Sequence, residues 1–174
     1  MAATVDESAA LALTLHPLVI INVSDHFTRA RANADLGGSA GASRIFGILI
    51  GAQQGRVIEI GNSFEAKVAD RNGTPLPDHD NVRIRLEQYK KTFPKYDMIG
   101  WYSTGDGVQP GDMEIHQALC EIADTQLLFL TFDSVSALAG AQRELPITIY
   151  ESEASERDAL CTLHALGPWA HCRD

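Results

Sequence analysis

The run Leu127–Phe132, LLFLTF, constrains the fold more than any other stretch of the chain. A strand with one solvated face alternates apolar and polar residues, whereas this one is nearly all apolar. It is therefore expected to be a strand buried on both faces, and a sheet that buries such a strand needs covering layers on both sides.

Helical patterns supply those layers. His16-Pro17 opens the first helix, because proline suits the first helical turn. Ile20, Val23, Phe27 and Ala30 then recur at i, i+3, i+7 and i+10, with Asp25 and Arg29 as an i,i+4 pair on a more exposed side. The glycine-rich DLGGSAGAS is expected to end the helix. RIFGILIG and GRVIEIGNSFE read as an antiparallel hairpin. Residues 66–79, with Asn-Gly and two prolines, read as an irregular loop. VRIRL alternates like a strand, but Val82, Leu86, Tyr89 and Phe93 keep a helical spacing, and Pro94 supplies a stop. A helix over Asn81–Phe93 is predicted. Met98–Thr104 is predicted as a strand, Asp112–Asp124 as a helix, and ELPITIYES as a further strand. The start of the chain reads as frayed and the tail as weakly helical. The expected fold class is α/β, a single mixed sheet flanked by helices.

Asp and Glu outnumber Lys and Arg by 23 to 14, for a formal charge of -9. That balance repels a phosphate backbone, so no nucleic-acid partner is expected. The apolar runs fall far short of the roughly 18 residues a membrane span needs, so no membrane partner is expected either. Acidic residues near the N-terminus replace the basic ones of a signal peptide, and the expected location is cytoplasm and nucleus. There, the sequons at Asn22 and Asn72 are chance matches. Cys120, Cys161 and Cys172 form no CxxC and read as reduced, structurally silent thiols.

The stretch GWYSTGDG, Gly100–Gly107, has the look of an active-site edge. Its spacing is G-x-x-S-x-G, one residue longer than a nucleophile elbow, and no base and orienter pair stands out for Ser103. Gly105-Asp106-Gly107 begins a dinucleotide fingerprint, but Pro110 stands at the third glycine and Asp106 repels anions. There is no H-x-H and no H-E-x-x-H; His116 and Cys120 at i,i+4 are two potential ligands, too few for a site. Residue types alone give a soluble α/β domain with no catalytic constellation.

Taken in order, LHPLVIINVSDHFTR, FGILIG, GRVIEIGNSFE, EQYKKTF, GWYSTGDG, CEIADTQLLFL and LPITIYES resemble the MPN (Mpr1/Pad1 N-terminal) domain. The resemblance covers residues 15–152, leaving 1–14 as an N-terminal extension and 153–174 as a tail. Active MPN members are zinc isopeptidases: a glutamate before the first strand is the general acid/base, and the zinc ligands come from H-x-H-P and S-x-x-D. The resemblance puts Arg44 at the glutamate, Ser103 and Gly105 at the histidines, and Asp106 at the proline. It puts Gly111 and Glu114 at the serine and aspartate.

Glycine offers no metal ligand, neutral Ser103 replaces imidazole poorly, and Arg44 is a fixed positive charge. The resemblance therefore implies the inactive branch of the family, with no catalytic residue, no bound metal and no cofactor. It further implies a scaffold paired with a catalytic MPN subunit, here of the COP9 signalosome, which removes the ubiquitin-like NEDD8 from cullins, and a possible homodimer in isolation. Inactive subunits of the proteasome lid or of a translation initiation factor are the rival scaffold reading, and a divergent metal-dependent isopeptidase is the enzymatic one. Helix faces form the contact in such pairs, which makes Ile20, Val23 and Phe27 of the first helix, and Leu86, Tyr89 and Phe93 of the second, candidate interface residues.

Overall fold

A computed structural model describes residues 11–36, 44–71, 74–139, 145–154 and 161–168. The first ten residues, the glycine-rich segment 37–43, and Cys172 and His171 of the tail lie outside the described residues. The elements run β1 (Ala12–Leu15), α1 (Pro17–Leu36), β2 (Phe46–Gln54), β3 (Val57–Glu65), β4 (Val68–Arg71), β5 (Thr74–Pro77) and α2 (His79–Thr92). They continue through β6 (Asp97–Thr104), α3 (Asp112–Ala123), β7 (Leu128–Phe132), α4 (Ser134–Ala139), β8 (Ile147–Ala154) and β9 (Cys161–Pro168).

The main sheet has the order β1-β3-β2-β6-β7-β8-β9, and β4 and β5 form a separate hairpin. It is mixed: β1 lies parallel to β3 and β6 parallel to β7, while the other neighbours are antiparallel. The α/β expectation holds. Strand β7 is buried at all five positions, because its alternating side chains feed two cores. Leu128, Leu130 and Phe132 face the layer made by Val19, Val23 and Phe27 of α1. Leu127 and Phe129 face the other layer, where Val82 of α2 and Ile115 and Leu119 of α3 pack on Ile48, Ile50 and Trp101. Each such fully buried side chain contributes about 1.5–3 kcal/mol.

The caps settle the ambiguous segment as helix. Asp78 accepts a hydrogen bond from the Asn81 backbone N–H at 3.1 Å, and the Phe93 N–H closes the end on the Tyr89 carbonyl at 2.7 Å. At the start of α1, the His16 ring nitrogen Nδ1 accepts from the Leu18 N–H at 3.2 Å.

Three sequence expectations need correction. The segment read as an irregular loop contains the β4–β5 hairpin, with Val68 paired to Pro77 and Arg71 to Thr74. The frayed start includes β1, held in parallel pairing from Ala12–Val57 to Leu15–Ile60. The weakly helical tail contains β9, which extends the sheet along β8. Long-range pairing overrode weak local preference in each case.

Candidate functional site

The C-terminal end of β6, the residues just before β2 and the first turn of α3 converge on one place. Phe46 pairs with Ser103, so the β2 start lies beside the β6 end, and the Gly105 N–H donates to the Phe132 carbonyl at 3.0 Å. Gly111 starts α3 with φ of 89°, a left-handed conformation that favours glycine. The helix then turns Asp112, Ile115, His116 and Leu119 inward, at i, i+3, i+4 and i+7.

Arg44 sits at the centre of this convergence. Its Nη1 donates to Asp112 Oδ1 at 2.9 Å, its Nη2 to Asp112 Oδ2 at 3.2 Å, and its Nε to the Thr104 carbonyl at 3.2 Å. Asp112 is fully buried, and its Oδ2 also accepts from the Gln109 N–H at 2.7 Å. The Arg44 guanidinium lies 5.3 Å from the Phe46 ring centre, and the Arg44 side chain is about one-third exposed.

Glu114 lies on the exposed side of α3, and Asp112 is the carboxylate that meets Arg44. Ser103 is fully buried, and its Oγ has no hydrogen-bond partner among the described residues, so nothing there activates it as a nucleophile. Gly105 has φ of 154°, a conformation L side chains rarely adopt, so a histidine at this position would be strained.

These residues do not fit a zinc ion. One carboxylate faces the site, both of its oxygens are taken, and the group bonded to it is itself a cation. Among the described residues no three His, Cys, Asp or Glu side chains are gathered so as to hold a metal ion.

Behind the site, Trp101 donates its indole N–H to His116 Nδ1 at 3.0 Å. Indole can only donate, so His116 is held neutral with its proton on Nε2. Burial pushes the His116 pKa below its ordinary 6.5. On the other face, His26 Nδ1 lies 2.9 Å from the Tyr102 hydroxyl, and His26 Nε2 lies 3.6 Å from Glu65. Burial raises the Tyr102 pKa, so the phenol keeps its proton. Burial also lowers the His26 pKa, against the opposing pull of Glu65, while Arg29, bonded to Asp25 and Glu65, adds to the lowering.

A prediction follows from the sign of these shifts. Both histidines are more reluctant to protonate folded than unfolded, so their contribution is present above about pH 6.5 and lost as pH falls from there through their lower folded pKa values. Denaturation midpoints are expected to fall between pH 7.5 and pH 5.5. His116→Gln, which still accepts from Trp101, is expected to flatten part of that slope.

The candidate interface residues separate into two groups. Val23 and Phe27 are 1% and 6% exposed and belong to the core, because α1 buries that stripe against its own sheet. They are withdrawn as partner contacts. Ile20 is half-buried against the same core, and Leu86 and Tyr89 are half-buried against the other, with Tyr89 stacked on Phe64 at 5.4 Å. Phe93 remains exposed, stacked on Tyr96. Leu18 and Ile21 on α1 and Ile84 on α2 are also exposed. Among the described residues no helix is long and apolar enough to cross a membrane.

The mixed sheet with helix layers on both faces defines the class as an α/β domain. The family profile described as JAB1/Mov34/MPN/PAD-1 ubiquitin protease matches residues 8–125, and the chain belongs to this family. Within it, the chain is similar to COP9 signalosome complex subunit 6 of Oryza sativa subsp. japonica, 42% identical over 160 residues, covering 87% of this chain and 47% of that protein. It is 37% identical to COP9 signalosome complex subunit 6a of Arabidopsis thaliana over 168 residues, covering 88% of this chain and 51% of the relative. COP9 signalosome complex subunit 6 of Dictyostelium discoideum is 38% identical over 146 residues, covering 84% and 44% respectively. The chain spans about half the length of these curated relatives.

Proposed function

We propose that this chain is a non-catalytic MPN subunit that pairs with the catalytic, zinc-bearing MPN subunit of the COP9 signalosome, and so supports removal of NEDD8 from cullins in cytoplasm and nucleus. The observation that supports the non-catalytic part is the Arg44–Asp112 pair: a fixed cation holds both oxygens of Asp112, at a residue that the resemblance aligns with an isopeptidase's general base. The signalosome part is supported by the names of the relatives, which favour it over the proteasome lid or an initiation factor. The enzymatic alternative, a divergent metal-dependent isopeptidase, lacks ligands at Ser103 and Gly105.

The partner face proposed here is the outward side of α1, where Leu18 and Ile21, three residues apart, are exposed. Co-expression with the catalytic MPN subunits of the signalosome and of the proteasome lid, followed by size-exclusion chromatography, tests the pairing. A stable 1:1 complex with the signalosome subunit alone is expected; a complex with the lid subunit instead, or an unpaired monomer, would sink the proposal. Leu18→Asp and Ile21→Asp are each expected to weaken the pair about tenfold or more without lowering the melting temperature. In isolation, the same face is expected to give a concentration-dependent homodimer, visible by sedimentation.

A further inference from the structure

We propose that the Arg44 guanidinium is a built-in cation that clamps the mouth of the degenerate site, standing where a metal would have to stand to use Asp112. The proposal deepens the non-catalytic reading of this site and rests on it. Asp112 is fully buried at the first residue of α3, and a buried carboxylate without a cation or several donors is strongly disfavoured. Arg44 meets it in a two-pronged contact, with one amine on each oxygen, and the Gln109 N–H supplies a third donor.

The same guanidinium spends its Nε on the Thr104 carbonyl, and the Thr104 hydroxyl accepts from the Ile45 N–H at 3.3 Å. One planar cation thus ties three pieces of backbone: the residues entering β2, the end of β6 and the first turn of α3. An ordinary surface ion pair has two exposed partners, as Lys90 and Asp97 do here, and contributes little. Here one partner has no exposure, and the other is held by three separate bonds. A lysine brings one charge on a single nitrogen and cannot make the fork.

Chemical rescue distinguishes this clamp from general packing. Arg44→Ala is expected to lower the melting temperature of the full chain by about 6–12 °C. Guanidinium chloride at tens of millimolar, far below denaturing concentrations, is expected to recover a measurable part of that loss. Urea and tetramethylammonium chloride at the same concentrations are not. Rescue is expected to vanish when Asp112→Ala is added, because the small cation then has no carboxylate to bind. Arg44→Lys is expected to fall between Arg44→Ala and the parent, and it carries the test if Arg44→Ala does not fold. The proposal is overturned if Arg44→Ala or Arg44→Lys melts with the parent. It is also overturned if guanidinium gives no rescue, or equal rescue without Asp112. None of these results depends on partner binding, so the pairing proposal stands or falls separately.

Discussion

Trp101→Ala is expected to lower the unfolding free energy by about 3–5 kcal/mol, a large part of the roughly 5–15 kcal/mol a domain has. Trp101 is 1% exposed on β6 between two paired strands, opposite Ile48 on β2 and Phe129 on β7. Its ring stacks on Phe129 at 3.9 Å and lies near-parallel to Phe46 at 6.5 Å. Removing it opens a cavity between the sheet and α3 and deprives His116 of its indole donor. Trp101→Phe keeps most of the volume and loses the hydrogen bond, so it is expected to cost about 1–3 kcal/mol. Urea denaturation of the two variants separates the packing contribution from the polar one. Equal losses would mean that the stack contributes little beyond the hydrogen bond.

Gly51→Val is expected to cost at least about 4 kcal/mol and to leave little folded protein. Strand β2 is bulged here: its register shifts between Ile50 and Gly51 against β3, and between Leu49 and Ile50 against β6. A Cβ at position 51 would lie 1.8 Å from the Glu59 carbonyl oxygen. That neighbour is backbone in a paired strand, so relief requires parting β2 from β3. Gly55 is the control. Its φ of 61° disfavours a side chain, yet nothing lies within 4 Å, so Gly55→Ala is expected to cost about 1–2 kcal/mol. A soluble, cooperatively melting Gly51→Val protein would show that the β2–β3 register is softer than the paired backbone implies.

The central architecture was legible because its signals are local and strong. LLFLTF needed cover on both faces, and the structure supplies α1 on one side and α2 and α3 on the other. The resemblance pointed to Arg44, Ser103 and Gly105, and in the structure Phe46, two residues after Arg44, pairs with Ser103. That Asp112, and not Glu114, is the carboxylate meeting Arg44 was not read from the sequence. Helical periodicity held the missing signal: Asp112 shares a face with Ile115, His116 and Leu119, and Glu114 does not. The Asn-Gly dipeptide between β4 and β5 was likewise a hairpin signal read as loop because of its flanking prolines. Strands β1 and β9 had no comparable local signal; both are sheet-edge strands fixed by long-range pairing. One apolar stripe likewise cannot announce whether it covers its own sheet or a neighbour's, and Val23 and Phe27 cover their own.

The account's central claim is that an arginine–aspartate pair has replaced a metal centre in a chain of the MPN family. Zinc content tests it most directly, measured by mass spectrometry on protein purified in the presence of zinc and dialysed without chelator. The account predicts substoichiometric zinc in both the parent and Asp112→Asn. One zinc per chain in the parent, removed by chelation and lost in Asp112→Asn, would contradict it.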